Sequence, residues 1–205
     1  MASSGTAFAD LSRSALLDTA DLLADTERTA QVDQLRVALE WAAANGPDSL
    51  DPATGAKVGR ASVRFYGGQG TPQAATTAGA ELGARLRKST AAGDSLIADA
   101  QDLRYRLPEH WSRVEAHEVA TSYARFVARR TRDLTIEAAL YVDHAVATYA
   151  DGRIPWSRFE ATVDAAIKAA DPAVAEAKEK AARERRYAFA ARESEDGMRS
   201  FVLRT

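Results

Sequence analysis

ATTAGAELGARLRK (75–88), Ser89 and TAAGDSLIADAQDLRYR (90–106) read as two consecutive helical runs broken by a polar step at Lys88-Ser89. Ser89 or Thr90 can cap the second run, because a hydroxyl accepts from the unpaired N–H groups of a first helical turn. Pro108 then ends the run or restarts the chain in a new direction, since proline is tolerated only at the start of a helix. Gly83 is small where the two runs must approach, Leu86 supplies a core contact, and Leu96-Ile97 anchor the second run. Together these features give residues 82–97 the outline of a helix-turn-helix corner. The match is incomplete: the turn position that usually carries glycine holds Arg87, an apolar position holds Lys88, and the inward residue of the second run is only Gly93.

Towards the amino terminus, Phe8, Leu11, Ala15, Leu16, Leu22 and Leu23 recur at helical spacing, as do Val32, Leu35, Leu39 and Ala42. The spacing predicts two amphipathic helices or one long broken one, with Asp25 or Thr26 as a cap for the second part. Asn45-Gly46-Pro47 supplies a stop. Residues 46–74 are rich in glycine and proline without a clear period, and are expected to be loop. Towards the carboxyl terminus, further helices are expected at about 109–116, 118–132, 135–150 and 155–170, and Asp171-Pro172 opens another that runs to about Arg185. Tyr187–Ala191 and Phe201–Leu203 flank a polar segment with Gly197 at a turn position, which predicts a terminal β-hairpin. The expected architecture is one all-α domain over 1–205: amino-terminal helices (1–45), a Gly/Pro-rich loop (46–74), a multi-helix core (75–186) and a small hairpin (187–205). Trp111, Trp156 and Tyr141 are the expected large anchors of the core, with Leu103, Leu107, Val114, Leu140 and Phe159 around them.

Composition narrows the function classes. Apolar residues make up 46% of the 205 residues and aromatics only 7%, so closely approaching helices must do most of the packing. With no cysteine there is no disulfide framework and no thiolate metal site, which fits a cytoplasmic protein. No stretch approaches the roughly 18 apolar residues of a membrane span, so no membrane partner is expected. A net charge of −2 and a pI near 6.0 argue against coating DNA with overall charge; any nucleic-acid surface must be local.

From Tyr66 onward the chain carries GGQGTP (67–72), ELG (81–83), STAA (89–92), LIADAQDLRYRLP (96–108), AALYVD (138–143), AIKAADP (166–172) and RESEDG (192–197). This block resembles the amino-terminal domain of the actinobacterial 13E12-repeat proteins, the domain of unknown function 222 family, which usually precedes a carboxy-terminal HNH endonuclease module. The resemblance implies DNA binding or target positioning beside a nuclease. It carries over no catalytic residue, because no residue here matches the HNH motif.

Two constellations could touch nucleic acid. In the corner, Thr90, Asp94 and Ser95 lie near the start of the second helix, where base edges are read; the alternative is an ordinary helical hairpin. Further on, Arg125, Arg129 and Arg132 share one helix face, with Arg130 beside it. Such a stripe can hold phosphates bidentately, or it can be a solvated face paired with acidic neighbours. A second basic run, Lys178 to Arg186, is interleaved with glutamates and reads as solvated surface.

No catalytic, metal or cofactor site is expected. His117-Glu118 begins a zinc-hydrolase pattern, but Thr121 stands where the second histidine is needed, and His110, His117 and His144 are expected at surface or capping positions. Gly67–Gly70 lacks the Gly-Lys-Ser/Thr ending of a phosphate loop. The rival reading of the whole chain is a helical interaction or self-association module that uses its alanine-rich faces without binding nucleic acid.

Overall fold

The computed structural model describes residues 8–49 and 62–171, together with the backbone of two strands at 187–190 and 201–204. It is a mostly helical fold. Helix α1 spans Arg13–Ala44, followed by a short 3₁₀ turn at Pro47–Ser49. Strands β1 (Val63–Phe65) and β2 (Gln73–Ala75) pair antiparallel, Val63 opposite Ala75. Then come α2 (Ala78–Arg85), α3 (Thr90–Arg106), α4 (Pro108–Glu115), α5 (Thr121–Thr131), α6 (Ile136–Val146) and α7 (Trp156–Ala170). Strands β3 (Tyr187–Ala190) and β4 (Phe201–Arg204) form the expected terminal hairpin, Tyr187 opposite Arg204. The expected helix at 172–185, the basic run at 178–186 and the Gly197 turn lie outside the described residues.

Helix α3 keeps the bounds read from the sequence, and its Ser89 cap accepts from the Ala92 N–H at 3.2 Å. It is the hub of the bundle: every residue from Leu96 to Leu103 is buried. Around it pack Val32, Leu35, Ala38 and Ala42 of α1, Ala124, Val127 and Ala128 of α5, and Ala138, Ala139 and Val142 of α6. The alanines let the helix axes come close, and three glycines carry this further between α2 and α3. A Cβ on Gly93 would sit 2.0 Å from the carbonyl oxygen of Gly79 and 2.8 Å from the nitrogen of Gly83. The turn between these helices contains Arg87 at φ +55°, the left-handed step for which the corner pattern usually supplies glycine.

Three expectations are corrected. Helix α1 is unbroken, and neither Asp25 nor Thr26 caps a second helix. No glycine or proline interrupts residues 13–44, and the hydroxyls of Thr19, Thr26 and Thr29 donate to carbonyls four residues back, so they find partners without breaking the helix. The 46–74 segment is not all loop, since β1 and β2 tie it to the body: the Tyr66 hydroxyl donates to the Ala75 carbonyl (2.7 Å) and accepts from the Gly79 N–H (3.2 Å). Finally, Trp111 and Phe159 are core residues, but Leu140 (41% exposed), Tyr141 (52%) and Trp156 (40%) are not enclosed. On α6 the inward face is made of Ala138, Ala139, Val142, Asp143 and Val146, which rotates Leu140 and Tyr141 outward. Trp156 instead covers the rim of an aromatic cluster, with its ring centroid 4.9 Å from that of Tyr123 and 5.1 Å from that of Phe126.

Candidate nucleic-acid interface

Asp99 and Asp102 are one turn apart on α3, and Arg106 lies a further turn on, so all three face α5. Both carboxylates and the Arg106 guanidinium are completely buried. Charges so placed are tolerable only when paired and hydrogen-bonded. Arg106 donates to Asp102 Oδ1 (3.1 Å) and to the carbonyls of Thr131 (3.0 Å), Arg132 (3.2 Å) and Leu134 (2.6 Å), thereby holding the end of α5 and the turn that follows.

From the other side come the sequence-predicted arginines. Arg125 Nε meets Asp99 Oδ2 at 2.8 Å, Arg129 reaches the same oxygen through Nη2 at 2.8 Å, and Arg132 spans Asp99 (2.8 Å) and Asp102 (2.7 Å). Burial would lower the pKa of Arg132, but hydrogen bonds and attraction from Asp102 and Asp99 outweigh it and raise the pKa above the ordinary arginine value. The stripe is therefore one wall of a polar core, with Asp99 and Asp102 as its acidic partners. Among the described ion pairs of this cluster, four guanidiniums face two carboxylates, an excess of two positive charges. The excess lies towards solvent, because the side chains of Arg125, Arg129 and Arg132 are 29%, 50% and 27% exposed. Arg130 points elsewhere and pairs with Asp164 of α7.

The glycine-rich segment seals the opposite side of this core. The Gly68 N–H donates to Asp102 Oδ1 at 2.7 Å, and Gln101 donates to the Pro72 carbonyl at 3.1 Å. A Cβ on Gly68 would meet Arg106 Nη1 at 2.1 Å and the Arg132 carbonyl oxygen at 2.3 Å, so only glycine fits there.

In the corner, Thr90 is exposed and Ser95 half-buried. Asp94 is turned towards Arg64: its Oδ1 lies 2.7 Å from Arg64 Nη2, and that guanidinium also stacks 4.1 Å above the Tyr66 ring. From Leu96 to Leu103 α3 is buried on every side, so its open parts are the first turn and, at the other end, Arg104 and Tyr105. The corner and the stripe nevertheless come together. Exposed Lys88 of the turn and Arg125 of α5 line one polar cleft with Gln31, Gln34 and Ser122.

Of the three histidines, His110 departs from expectation. His110 is wholly buried, not at the surface: its Nδ1 lies 2.5 Å from Asp143 Oδ1, and the same carboxylate accepts from the Glu109 and His110 N–H groups, capping α4. His144 is exposed and lies 2.7 Å from Glu109. Among the described residues, no group of three or more His, Cys, Asp or Glu could hold a metal ion, and no helix is long and apolar enough to cross a membrane.

Sequence reading missed Asp99, Gln101, Asp102, Arg106, His110 and Asp143. The available signal was LIADAQDL (96–103), where carboxylates recur inside an otherwise apolar run and an arginine follows Asp102 at i+4. A family model described as a domain of unknown function, DUF222, matches residues 52–202. The chain belongs to the DUF222 family. Neither a curated protein nor a solved structure matches it. Within this DUF222 chain, the segments 67–72 and 96–108 meet in the Asp102–Arg106–Gly68 core.

Proposed function

We propose that this domain is a non-catalytic DNA-binding or target-positioning module that grips backbone phosphates with Lys88, Arg125 and Arg129. The observation that carries the proposal is the shared cleft of Lys88 and Arg125, next to a cluster with two surplus positive charges, on a chain whose overall charge is −2. Guanidiniums held by Asp99 cannot swing freely, so phosphates would meet a pre-ordered surface with less side-chain entropy to lose. Readout of base edges has little support, because Asp94 is committed to Arg64 and only Thr90 is fully open. Binding is therefore sequence-tolerant. The resemblance to 13E12-repeat proteins suggests the use: in a longer parent, such a module holds the duplex for an adjoining HNH nuclease part.

Fluorescence anisotropy with short duplexes of unrelated sequence tests this. Lys88→Gln is expected to weaken binding several-fold on every duplex while leaving the melting temperature unchanged, because Lys88 is exposed. Binding by Lys88→Gln at parental strength, or no binding by the parent, would contradict the proposal. The rival reading is an interaction module that uses alanine-rich faces: Ala98, Ala100, Ala124, Ala128, Ala138 and Ala139 are buried within the domain, whereas Ala161, Ala165 and Ala169 lie exposed along one side of α7.

A further inference from the structure

Helix α1 is two different helices by surface. Its second half is anchored in the core by Val32, Leu35, Ala38 and Ala42. Its first half exposes Leu16 (43%), Leu17 (69%), Leu22 (66%) and Leu23 (57%), and its nearest hydrogen bond to the body is from Arg28 to the His117 carbonyl. At about 100° per residue, the line through Leu16 and Leu23 is turned by roughly a quarter circle from the core stripe. Leu16 and Leu23 thus cannot be covered by the domain's own core. Asp18, Asp21 and Asp25 fall on the side opposite that line, with Leu17 and Leu22 at its flanks, so the Leu16–Leu23 line is the face free of these acidic groups. A helix of about 15 residues with no packing is marginal in water.

The sequence of the face identifies its occupant. Leu16 and Leu23 are seven residues apart, the spacing of a two-helix seam. Arg13 and Glu27 flank the same face at its two ends. A parallel copy would set Arg13 against Arg13 and Glu27 against Glu27. An antiparallel copy, related by a two-fold axis near Thr19 and Ala20, sets Leu16 on Leu23 and brings Arg13 to Glu27, twice over, because a two-fold interface is self-complementary. We propose that residues 12–27 of α1 pair antiparallel with the same segment of a second copy of this chain. The proposal is independent of phosphate binding.

The full chain in multi-angle light scattering is expected to show twice the 22.0 kDa of one chain. Leu16→Asp with Leu23→Asp is expected to return it to a single chain whose core still unfolds in one cooperative transition, with at most the helical signal of the first half of α1 lost, since neither leucine touches the core. Because the chain has no cysteine, register can be read directly. A mixture of Leu16→Cys and Leu23→Cys chains should cross-link on oxidation, while Leu16→Cys alone should not. A monomer at all concentrations, a dimer that survives both aspartates, or efficient cross-linking of Leu16→Cys with itself would each overturn the proposal.

Discussion

Arg106 concentrates the energetics of the domain in one side chain. It has no exposed surface, one buried carboxylate partner and three carbonyls from the end of α5 and the turn after it. Removing it takes a guanidinium from buried Asp102, which keeps only Arg132 and the Gly68 N–H, and deprives three carbonyls of their donor. Arg106→Ala is therefore expected to cost about 3–5 kcal/mol in chemical denaturation, whereas an exposed ion pair of the same type contributes under about 1 kcal/mol. A loss below about 1 kcal/mol would mean that the polar core is dispensable. His144 gives a contrasting residue-scale case. Its hydrogen bond and attraction to Glu109 raise its pKa above the ordinary histidine value. A raised folded-state pKa contributes stability below the ordinary value and loses it as pH rises through the folded one. Titration followed by NMR should find His144 protonated to higher pH than a free histidine, and Glu109→Gln should bring its midpoint back down; an unmoved midpoint would exclude the pair.

At the scale of elements, the α2–α3 corner depends on close backbone approach. Gly93→Ala places a methyl group 2.0 Å from the Gly79 carbonyl oxygen, an atom that cannot rotate away. The helices must separate, and a melting temperature equal to that of the parent would show that the contact is loose. Asp94→Ala should do the reverse of harm. The Arg64–Asp94 pair is partly exposed and contributes at most about 1 kcal/mol, and freeing Arg64 adds positive charge near the corner. Stability should barely change and DNA binding should strengthen. The bounds of α3 were legible because a Ser cap, an apolar period and Pro108 agree with one another. The role of the α5 arginines was not. A stripe at i, i+4, i+7 has the same pattern whether it faces water or buried carboxylates, and Asp99 and Asp102 are distant in sequence. Continuity through Asp25 and Thr26 was hidden too, because a residue that can cap a helix can also sit inside one when its hydroxyl bonds back to the preceding turn. The β1–β2 pair, three residues per strand, is too short to show a period.

Taken as a whole molecule, the domain has polar groups at its centre and a small local charge excess at its surface. Its net charge of −2 gives no general attraction to a polyanion, so the proposed binding rests on a local set of cations, Lys88, Arg125 and Arg129. Neutralising about three phosphates releases counterions in proportion, which sets a salt slope that is small but measurable. The decisive measurement is the affinity of the full chain for a duplex across about 50 to 200 mM salt, beside Lys88→Gln. The account predicts that log Kd rises with log salt at a slope of about 2 to 3 for the parent, and that the variant loses about one unit of slope. A slope near zero, or an identical slope in the variant, would contradict phosphate contact at this cleft.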